Sequence, residues 1–344
     1  MIQAPQSLEE LDLLASEPDR ALVETLSRID GDVVVAGAGG KMGYHLSRML
    51  RRGFDTLGAS NRVIAVSRFG DEKTRAPFED HHITTHPADL TDAAALAALP
   101  DASTVFFLAG RKFGTGDSPE TLALYNEEMP ALVAERYAGA SIVALSTGCV
   151  YPFVAPDSGG STEEDEVGPV GDYAVSCLGR ETAFRRASEQ NGSPLALIRL
   201  NYSVDLRYGV LVDLARKVIR GEEIDLTTGY FNCIWQGDAI RFTIRALDHA
   251  APAPDPFLLN VSGTRILGVR DTALIFEELL DHPARFVGTE SATAWLSNTA
   301  KSQRLFGPPS VSEERLIDWV ADWIDHDRPL LDKPTRFEVR DGKY

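Results

Sequence analysis

The chain has 344 residues and a formal net charge of −17 at pH 7, and 44% of its residues are hydrophobic. That length and composition fit one large domain or two coupled domains with a full globular core. The negative charge argues against nucleic acid or an anionic membrane as a partner. No apolar run is long enough to cross a bilayer, and we expect no signal peptide. The three scattered cysteines form no disulfide framework, so we expect a cytoplasmic protein.

From residue 32 onward, strand-like and helix-like segments alternate. Strands separated by helix-length segments are typical of parallel sheets with right-handed crossovers. The predicted fold class is therefore α/β, a doubly wound parallel sheet of the Rossmann type with a smaller C-terminal α/β region. The apolar segments predict strands at 32–36, 62–67, 83–85, 103–109, 141–147 and 194–200, and helices at 41–52, 91–98, 118–138 and 172–190.

A cluster of glycines follows the first predicted strand and precedes an amphipathic helix. That order is typical of the start of a dinucleotide-binding βαβ unit. Gly37 can make the turn, Gly40 lets backbone N–H groups approach a pyrophosphate, and Gly43 lets the helix pack close to the sheet. We predict cofactor contacts here, with a plain strand-to-helix turn as the alternative, from Gly37, Gly39, Gly40, Lys41, Met42 and Gly43.

Two further strand ends carry side chains suited to an adenosine. Ser67 and Arg68 end the second strand, where a carboxylate would favour NAD, whereas a guanidinium can pair with the 2′-phosphate of NADP. We therefore favour NADP and keep NAD open. Asp89 and Leu90 follow the third strand, where the carboxylate could accept from the adenine amino group and Leu90 could pack on the ring. Asp89 could equally cap the next helix.

Together these features resemble the extended short-chain dehydrogenase/reductases, the NAD-dependent epimerase/dehydratase family. The resemblance covers about residues 31–262. It rests on the G-x-x-G-x-x-G turn, Asp89-Leu90, the strand that ends in Ala109-Gly110, Asn126, the segment Ser146-Thr147-x-x-Val150-Tyr151, Tyr173 and Glu181 on one helix, and Gly237-Asp238-Ala239.

The resemblance implies hydride transfer at a carbinol carbon of a sugar, sugar acid or nucleotide sugar. Thr147 would bond the substrate oxygen, and Tyr173 would be the general acid/base. Asn201 and Tyr202 would lie beside the nicotinamide and the substrate, and Ala109-Gly110 would border the cofactor. The resemblance also implies a homodimer through helices 118–138 and 172–190.

The chain departs from the family's Y-x-x-x-K pattern, because Cys177 stands where the lysine would be. A lysine there would bond the nicotinamide ribose and lower the pKa of Tyr173. Cys177 could be a nucleophile, but we expect a small buried residue beside the cofactor. Of three cations that could compensate, we favour Lys112 over Arg199 and over Arg180, which we expect to point elsewhere on its helix.

Two functions follow. The first is an NAD(P)-dependent oxidoreductase or epimerase that acts on a carbohydrate-like substrate; the alternative is a dinucleotide-binding regulatory or sensor protein without turnover. We expect no metal, because His81, His82 and His86 lie near one strand and cannot converge easily. The expected parts are a helical extension (1–30), a dinucleotide-binding domain (31–205 with 236–262), a substrate-covering region (206–235 with 263–326) and a tail (327–344).

Overall fold

The computed structural model describes residues 3–111, 118–333 and 335–342. Its strands are β1 (Val33–Ala36), β2 (Val63–Ser67), β3 (Thr84–Pro87), β4 (Thr104–Phe107), β5 (Ser141–Thr147), β6 (Leu195–Leu200), β7 (Ser203–Val204), β8 (Glu223–Asp225), β9 (Tyr230–Phe231), β10 (Ile234–Trp235), β11 (Phe257–Val261), β12 (Leu267–Gly268) and β13 (Arg285–Val287). Its α-helices are α1 (Leu8–Ala15), α2 (Arg20–Leu26), α3 (Gly43–Leu57), α4 (Glu72–Glu79), α5 (Ala93–Ala97), α6 (Pro119–Ala123), α7 (Met129–Arg136), α8 (Asp172–Asn191), α9 (Val210–Arg220), α10 (Gln236–Arg245), α11 (Val269–Leu280), α12 (Ala300–Phe306) and α13 (Glu313–Asp325).

Seven parallel strands form the central sheet in the order β11-β6-β5-β4-β1-β2-β3. Val33 of β1 pairs with Val63 on one side and with Thr104 of β4 on the other. The strand order therefore reverses between β1 and β4, which opens a crevice at the carboxyl edge of the sheet. The predicted fold class, a doubly wound parallel sheet, is confirmed.

Both faces of the sheet are covered, which explains why its central strands are continuously apolar. Every residue of β1 and of β4 is buried. Val33, Val35 and Phe106 pack in one hydrophobic cluster. Val34 and Phe107 pack in another cluster on the opposite face. Alternate residues of one strand thus serve two cores.

A third hydrophobic cluster lies outside the sheet. Helices α9, α11 and α13 contribute to it, with the fully buried Trp323 among the largest side chains. Two short pairings, β8 with β13 and β9 with β12, belong to the same part of the chain. Phe337, near the C-terminus, is 2% exposed and packs into this cluster. The third cluster forms the smaller α/β region expected after residue 200.

The structure differs from the sequence prediction in three helical segments. Helix α4 was not predicted; it begins at a capping box formed by Asp71 and Thr74. Helix α12 was also missed. The helix predicted over 118–138 is divided by a π-helical turn, Leu124–Glu128, just before Pro130. Proline has no N–H to donate to the preceding turn, so the widened turn accommodates the hydrogen bond that is missing at Pro130. Among the described residues, no helix is both long and apolar enough to span a membrane.

Candidate active site

The glycine turn connects β1 to α3 at the carboxyl edge of the sheet. Gly37 has φ +89°, and a Cβ on it would lie 2.6 Å from the backbone nitrogen of Ala109. A Cβ on Gly43 would lie 2.2 Å from the carbonyl oxygen of Ala38. Neither position admits a larger residue without movement of the backbone. Helix α3 begins without a side-chain cap, because Met42 makes no capping hydrogen bond. Its first-turn N–H groups can therefore take an anion such as a pyrophosphate.

A cavity of about 490 Å³, which we call the glycine groove, runs along the ends of β1 to β4. It contains most of the residues predicted to contact the cofactor. Its lining is Gly37, Gly39, Gly40, Ser67, Arg68, Ala88, Asp89, Leu90, Leu108, Ala109, Gly110, Arg111, Tyr125 and Met129.

Two polar side chains stand at the adenosine end predicted for this groove. The carboxylate of Asp89 accepts from the N–H of Thr91 at 3.0 Å and from its hydroxyl at 2.8 Å. These two hydrogen bonds are the main reason why the pKa of Asp89 lies below its usual value. The helix cap itself is Asp92. The guanidinium of Arg68 lies 6.0 Å from the ring centre of Tyr125.

A second cavity of about 630 Å³ adjoins the glycine groove, and we call it the tyrosine cavity. The two share Gly39, Gly40, Leu108 and Gly110. The other lining residues of the tyrosine cavity come from widely separated parts of the chain. They are Lys41, Met42, Gly43, Leu145, Ser146, Thr147, Tyr173, Leu200, Tyr202, Ser203, Tyr208, Gly209, Val210, Gln236, Leu331, Lys333 and Thr335.

Thr147 and Tyr173 thus line one cavity. Thr147 is the last residue of β5, and its hydroxyl accepts from the N–H of Cys149 at 3.2 Å. Tyr173 lies in the first turn of α8, and its hydroxyl donates to the thiol of Cys177. Burial raises the pKa of Tyr173 well above its usual value, and the neighbouring Cys177 raises it further. In this arrangement the phenol is protonated and can donate a proton.

The cations considered as substitutes for the lysine have different surroundings. Cys177 itself is fully buried and belongs to neither cavity's lining; burial raises the pKa of its thiol. Lys112 lies outside the described residues. Arg199 is engaged by the buried carboxylate of Glu181 at 2.8 Å. Arg180 was expected to point elsewhere, and this is wrong: its guanidinium lies against Gly110, which lines both cavities.

The side chain of Asn201 is used in hydrogen bonds within the protein. It is buried, and its side-chain amide donates to Asn232 at 3.0 Å and to the carbonyl of Trp295 at 3.2 Å. Asn201 is absent from the lining of both cavities, whereas its neighbour Tyr202 lines the tyrosine cavity.

Sequence reasoning missed several cavity residues. Tyr208 lies under Lys41, whose ammonium is 3.2 Å from the ring centre. Leu331, Lys333 and Thr335 reach the cavity from the C-terminal segment. No local pattern in the tail indicates this position, because it arises from packing on α9, where Asp213 accepts from the Thr335 hydroxyl at 2.6 Å. Among the described residues, no three His, Cys, Asp or Glu side chains are grouped to hold a metal ion.

The profile of the NAD dependent epimerase/dehydratase family matches residues 33–261. The chain belongs to this family. The sequence matches no curated protein.

Among solved structures, a UDP-glucuronic acid 4-epimerase from Bacillus cereus in complex with UDP-glucuronic acid and NAD is 17% identical, with TM-score 0.69, covering 86% of this chain and 99% of that one. A UDP-glucose 4-epimerase from Thermotoga maritima, with UDP-glucose, is 16% identical, with TM-score 0.69, over 86% and 99% of the two chains. A dTDP-glucose 4,6-dehydratase from Streptomyces venezuelae is 19% identical, with TM-score 0.71, over 86% and 97%. These similarities establish the fold of this family member.

Proposed function

We propose that the protein is an NAD(P)-dependent epimerase, dehydratase or oxidoreductase that acts on a sugar, a sugar acid or a nucleotide sugar. The observation that carries this proposal is the junction of the two cavities. Thr147 and Tyr173 line a cavity that shares Gly39, Gly40 and Gly110 with the glycine groove. A dinucleotide held in the groove would therefore have one end beside both hydroxyls.

The groove fits a dinucleotide. Its volume lies within the range of small-molecule sites, and its glycines leave backbone at the surface where a pyrophosphate needs close approach. We assign the pyrophosphate to residues 37–43 and the adenosine to the side of Ser67, Arg68, Asp89 and Leu90. The nicotinamide supplies the redox chemistry when bound, by accepting or returning a hydride.

The side chains of the tyrosine cavity would handle the proton. Tyr173 would exchange a proton with the reacting hydroxyl of the substrate, acting as base in one direction and as acid in the other. The hydroxyl of Thr147 would bond the same oxygen and hold it in position. Because burial raises the pKa of Tyr173, its phenol can donate a proton directly, whereas removal of a proton from the substrate requires the phenol to ionise first.

We infer that different segments of the chain bind the cofactor and the substrate. Residues 31–205 with 236–262 would hold the cofactor, while 206–235 with 263–326 would cover the substrate. The tail, 327–344, would complete the substrate side through Leu331, Lys333 and Thr335. We also infer a homodimer through segments 118–138 and 172–190, which contain α6, α7 and α8 and where Val175 is 52% exposed. Light scattering on the purified protein tests the dimer.

For the cofactor we propose NADP. Arg68 directly follows the last residue of β2 and lines the groove. Its charge acts on the nearby carboxylate of Asp89, and a guanidinium at this position can bind a 2′-phosphate. The solved relatives named above that carry a dinucleotide carry NAD, and NAD remains the competing cofactor. Comparison of the two affinities by calorimetry decides between them.

The test of the proposed reaction combines binding with turnover. The wild type should bind one of the two dinucleotides and convert at least one member of a panel of free sugars, sugar acids and UDP- or dTDP-sugars, followed by chromatography and by NAD(P)H absorbance. Tyr173→Phe should lower turnover by about 10²–10⁴-fold and leave dinucleotide affinity unchanged. Tyr230→Phe, outside both cavities, is the matched control.

The second candidate is a dinucleotide-binding sensor without turnover. It is favoured by the absence of a lysine at position 177 and by the high pKa of Tyr173. Tight dinucleotide binding with no conversion of any panel member by the wild type would select it. Conversion that disappears in Tyr173→Phe would exclude it.

A further inference from the structure

Arg180 is a buried cation on helix α8. Its side chain projects from α8, and the residue is only 6% exposed. One terminal nitrogen donates to the carbonyl oxygen of Leu145 at 3.1 Å, and the other donates to the amide oxygen of Asn126 at 2.5 Å. Its Nε has no hydrogen-bond partner in the part of the chain that the structure describes. Two hydrogen bonds from the terminal nitrogens thus fix the guanidinium, while its Nε donates none within the described residues.

The charge of Arg180 is not neutralised by an ion pair within the described residues. Its neighbour on the helix, Glu181, is committed to Arg199 by two hydrogen bonds of 3.0 and 2.8 Å. Both partners of Arg180, at Leu145 and Asn126, are neutral oxygens. A buried charge without a counter-ion is costly. Arg180 therefore provides a standing positive potential in the surrounding low-dielectric region.

That potential lies directly beneath the two cavities. A Cβ on Gly110 would be 2.2 Å from a terminal nitrogen of Arg180 and 3.0 Å from its central carbon. Gly110 lines both the glycine groove and the tyrosine cavity. Because residue 110 is glycine, the guanidinium can contact the backbone that forms the cavity floor. A side chain at this position would displace the guanidinium.

The same guanidinium is linked to the first turn of α8. The amide nitrogen of Asn126 donates to the hydroxyl of Ser176 at 2.8 Å, and that hydroxyl donates to the carbonyl of Tyr173 at 2.8 Å. Positions 173, 177 and 180 also share one face of the helix, because they are four and three residues apart. Arg180, Cys177 and Tyr173 therefore lie along a single stripe that ends at the cavity.

We propose that Arg180 is a positioning residue that replaces, from beneath the cavity floor, the positive charge of the lysine that Cys177 has displaced. This proposal rests on the proposed role of Tyr173 as the acid/base. The guanidinium favours the phenolate of Tyr173 by electrostatic attraction through the floor, and the neutral thiol of Cys177 fills the space above it. The lysine's other task, bonding a ribose, is not transferred to Arg180.

The titratable groups around Tyr173 agree with this assignment. On α8 they are Cys177 and Arg180, and the turn after β5 adds Cys149. Burial raises the pKa of Tyr173, and both thiols act in the same direction, whereas Arg180 acts against them. Arg180 also opposes the rise in the pKa of Cys177.

Two further carboxylates lie near this stripe. Glu181 is paired with Arg199. Glu127, from the π-helical turn, packs against Gly179 on α8, where a Cβ would meet its side chain at 2.5 Å.

The test reads the ionisation of one phenol without substrate or cofactor. The full-length protein carries 3,5-difluorotyrosine at position 173, introduced by amber suppression, and its fluorine NMR shift is followed against pH. The substituted phenol is more acidic than tyrosine, so its midpoint falls in an accessible range. Because the readout needs neither binding nor turnover, its result is independent of whether the proposed reaction is found.

Two variants remove the charge in different ways. Arg180→Met deletes the guanidinium. Asn126→Asp retains the guanidinium of Arg180 and places a carboxylate beside it, which neutralises its charge. We expect each to raise the midpoint by about one, which means tenfold less phenolate at a given pH. Arg180→Lys should stay closer to the wild type than either. Arg186→Gln, which removes an exposed cation from the same helix, should leave the midpoint unchanged.

A rescue completes the test. Adding Cys177→Lys to Arg180→Met restores a cation at the family position and should return the midpoint to the wild-type value or below. Asn126→Asp keeps the size of the side chain but loses the hydrogen bonds that its amide nitrogen donates to the Arg111 carbonyl and to Ser176. It keeps the guanidinium in place, so it carries the test if Arg180→Met does not fold. A midpoint that stays the same in Asn126→Asp, or that moves equally in Arg186→Gln, would overturn the proposal.

Discussion

The glycine groove and the tyrosine cavity adjoin each other but are built on different principles. Most residues of the groove lie at the end of a strand or within a few positions after it, and only Tyr125 and Met129 come from the helical segment that follows β4. The tyrosine cavity draws side chains from segments as far apart as Lys41 and Thr335. A groove of this kind depends on glycine and on strand order, whereas the cavity depends on how distant parts of the chain pack.

The largest effect should come from removing the anchor of the tail. Phe337 is 2% exposed within the third hydrophobic cluster, so Phe337→Ala should lower the free energy of unfolding by about 3–5 kcal/mol. Leu331, from the same tail, is 37% exposed, and Leu331→Ala should change it by less than about 0.5 kcal/mol. Urea unfolding measures both. Equal effects of the two substitutions would mean that the tail is not anchored through Phe337.

The next effect belongs to the groove. Gly37→Ala forces a side chain into a left-handed turn, 2.6 Å from the backbone nitrogen of Ala109. We expect dinucleotide affinity to fall by about 100-fold, or about 2.7 kcal/mol, measured by calorimetry. Gly70→Ala is the matched control, because a Cβ there meets nothing within 4 Å. A dinucleotide affinity of Gly37→Ala equal to that of the wild type would contradict the assignment of the groove as the cofactor site.

An alkaline transition tests the network beneath the tyrosine cavity. The hydroxyl of Tyr151 accepts from Arg199 at 2.8 Å and donates to Asn260 at 2.9 Å. Burial raises the pKa of Tyr151 to about 12, against about 10 in an unfolded chain. The folded state therefore favours the neutral phenol, and its contribution to stability is complete below pH ~10.

This contribution is lost as the pH rises from about 10 to about 12, and two pKa units correspond to ~2–3 kcal/mol. Unfolding free energies at several pH values should fall less steeply in Tyr151→Phe than in the wild type. Tyr137, whose pKa burial also raises to about 12, provides a second position with the same expected behaviour. Identical slopes in the wild type and Tyr151→Phe would contradict the assignment.

The smallest effect concerns cofactor choice at the groove. Arg68→Asp replaces a guanidinium with a carboxylate at the end of β2, which should repel a 2′-phosphate and accept from a 2′-hydroxyl. We expect NADP affinity to drop by about tenfold or more relative to NAD affinity, or about 1.4 kcal/mol. Competition calorimetry gives the ratio. An unchanged ratio would place Arg68 outside the adenosine subsite.

The sequence by itself determined the part of the sheet where we propose that the cofactor binds. The glycine spacing, the apolar strands and the strand-end residues Arg68 and Asp89 are local signals, because a parallel sheet brings successive strand ends to one edge. Thr147 ends the fifth predicted strand at the same edge, whereas Tyr173 was added by the resemblance to the family. The sequence also exposed the substitution of Cys177 for lysine.

Tertiary structure alone decided the rest. Leu331, Lys333 and Thr335 line the cavity through packing of the tail on α9, and no periodicity in the tail indicates that contact. Likewise, the position of Arg180 follows from three neighbours, Gly110, Leu145 and Asn126, on three separate elements. Local patterns specify elements and their edges, whereas side-chain partners far apart in the chain depend on how those elements pack.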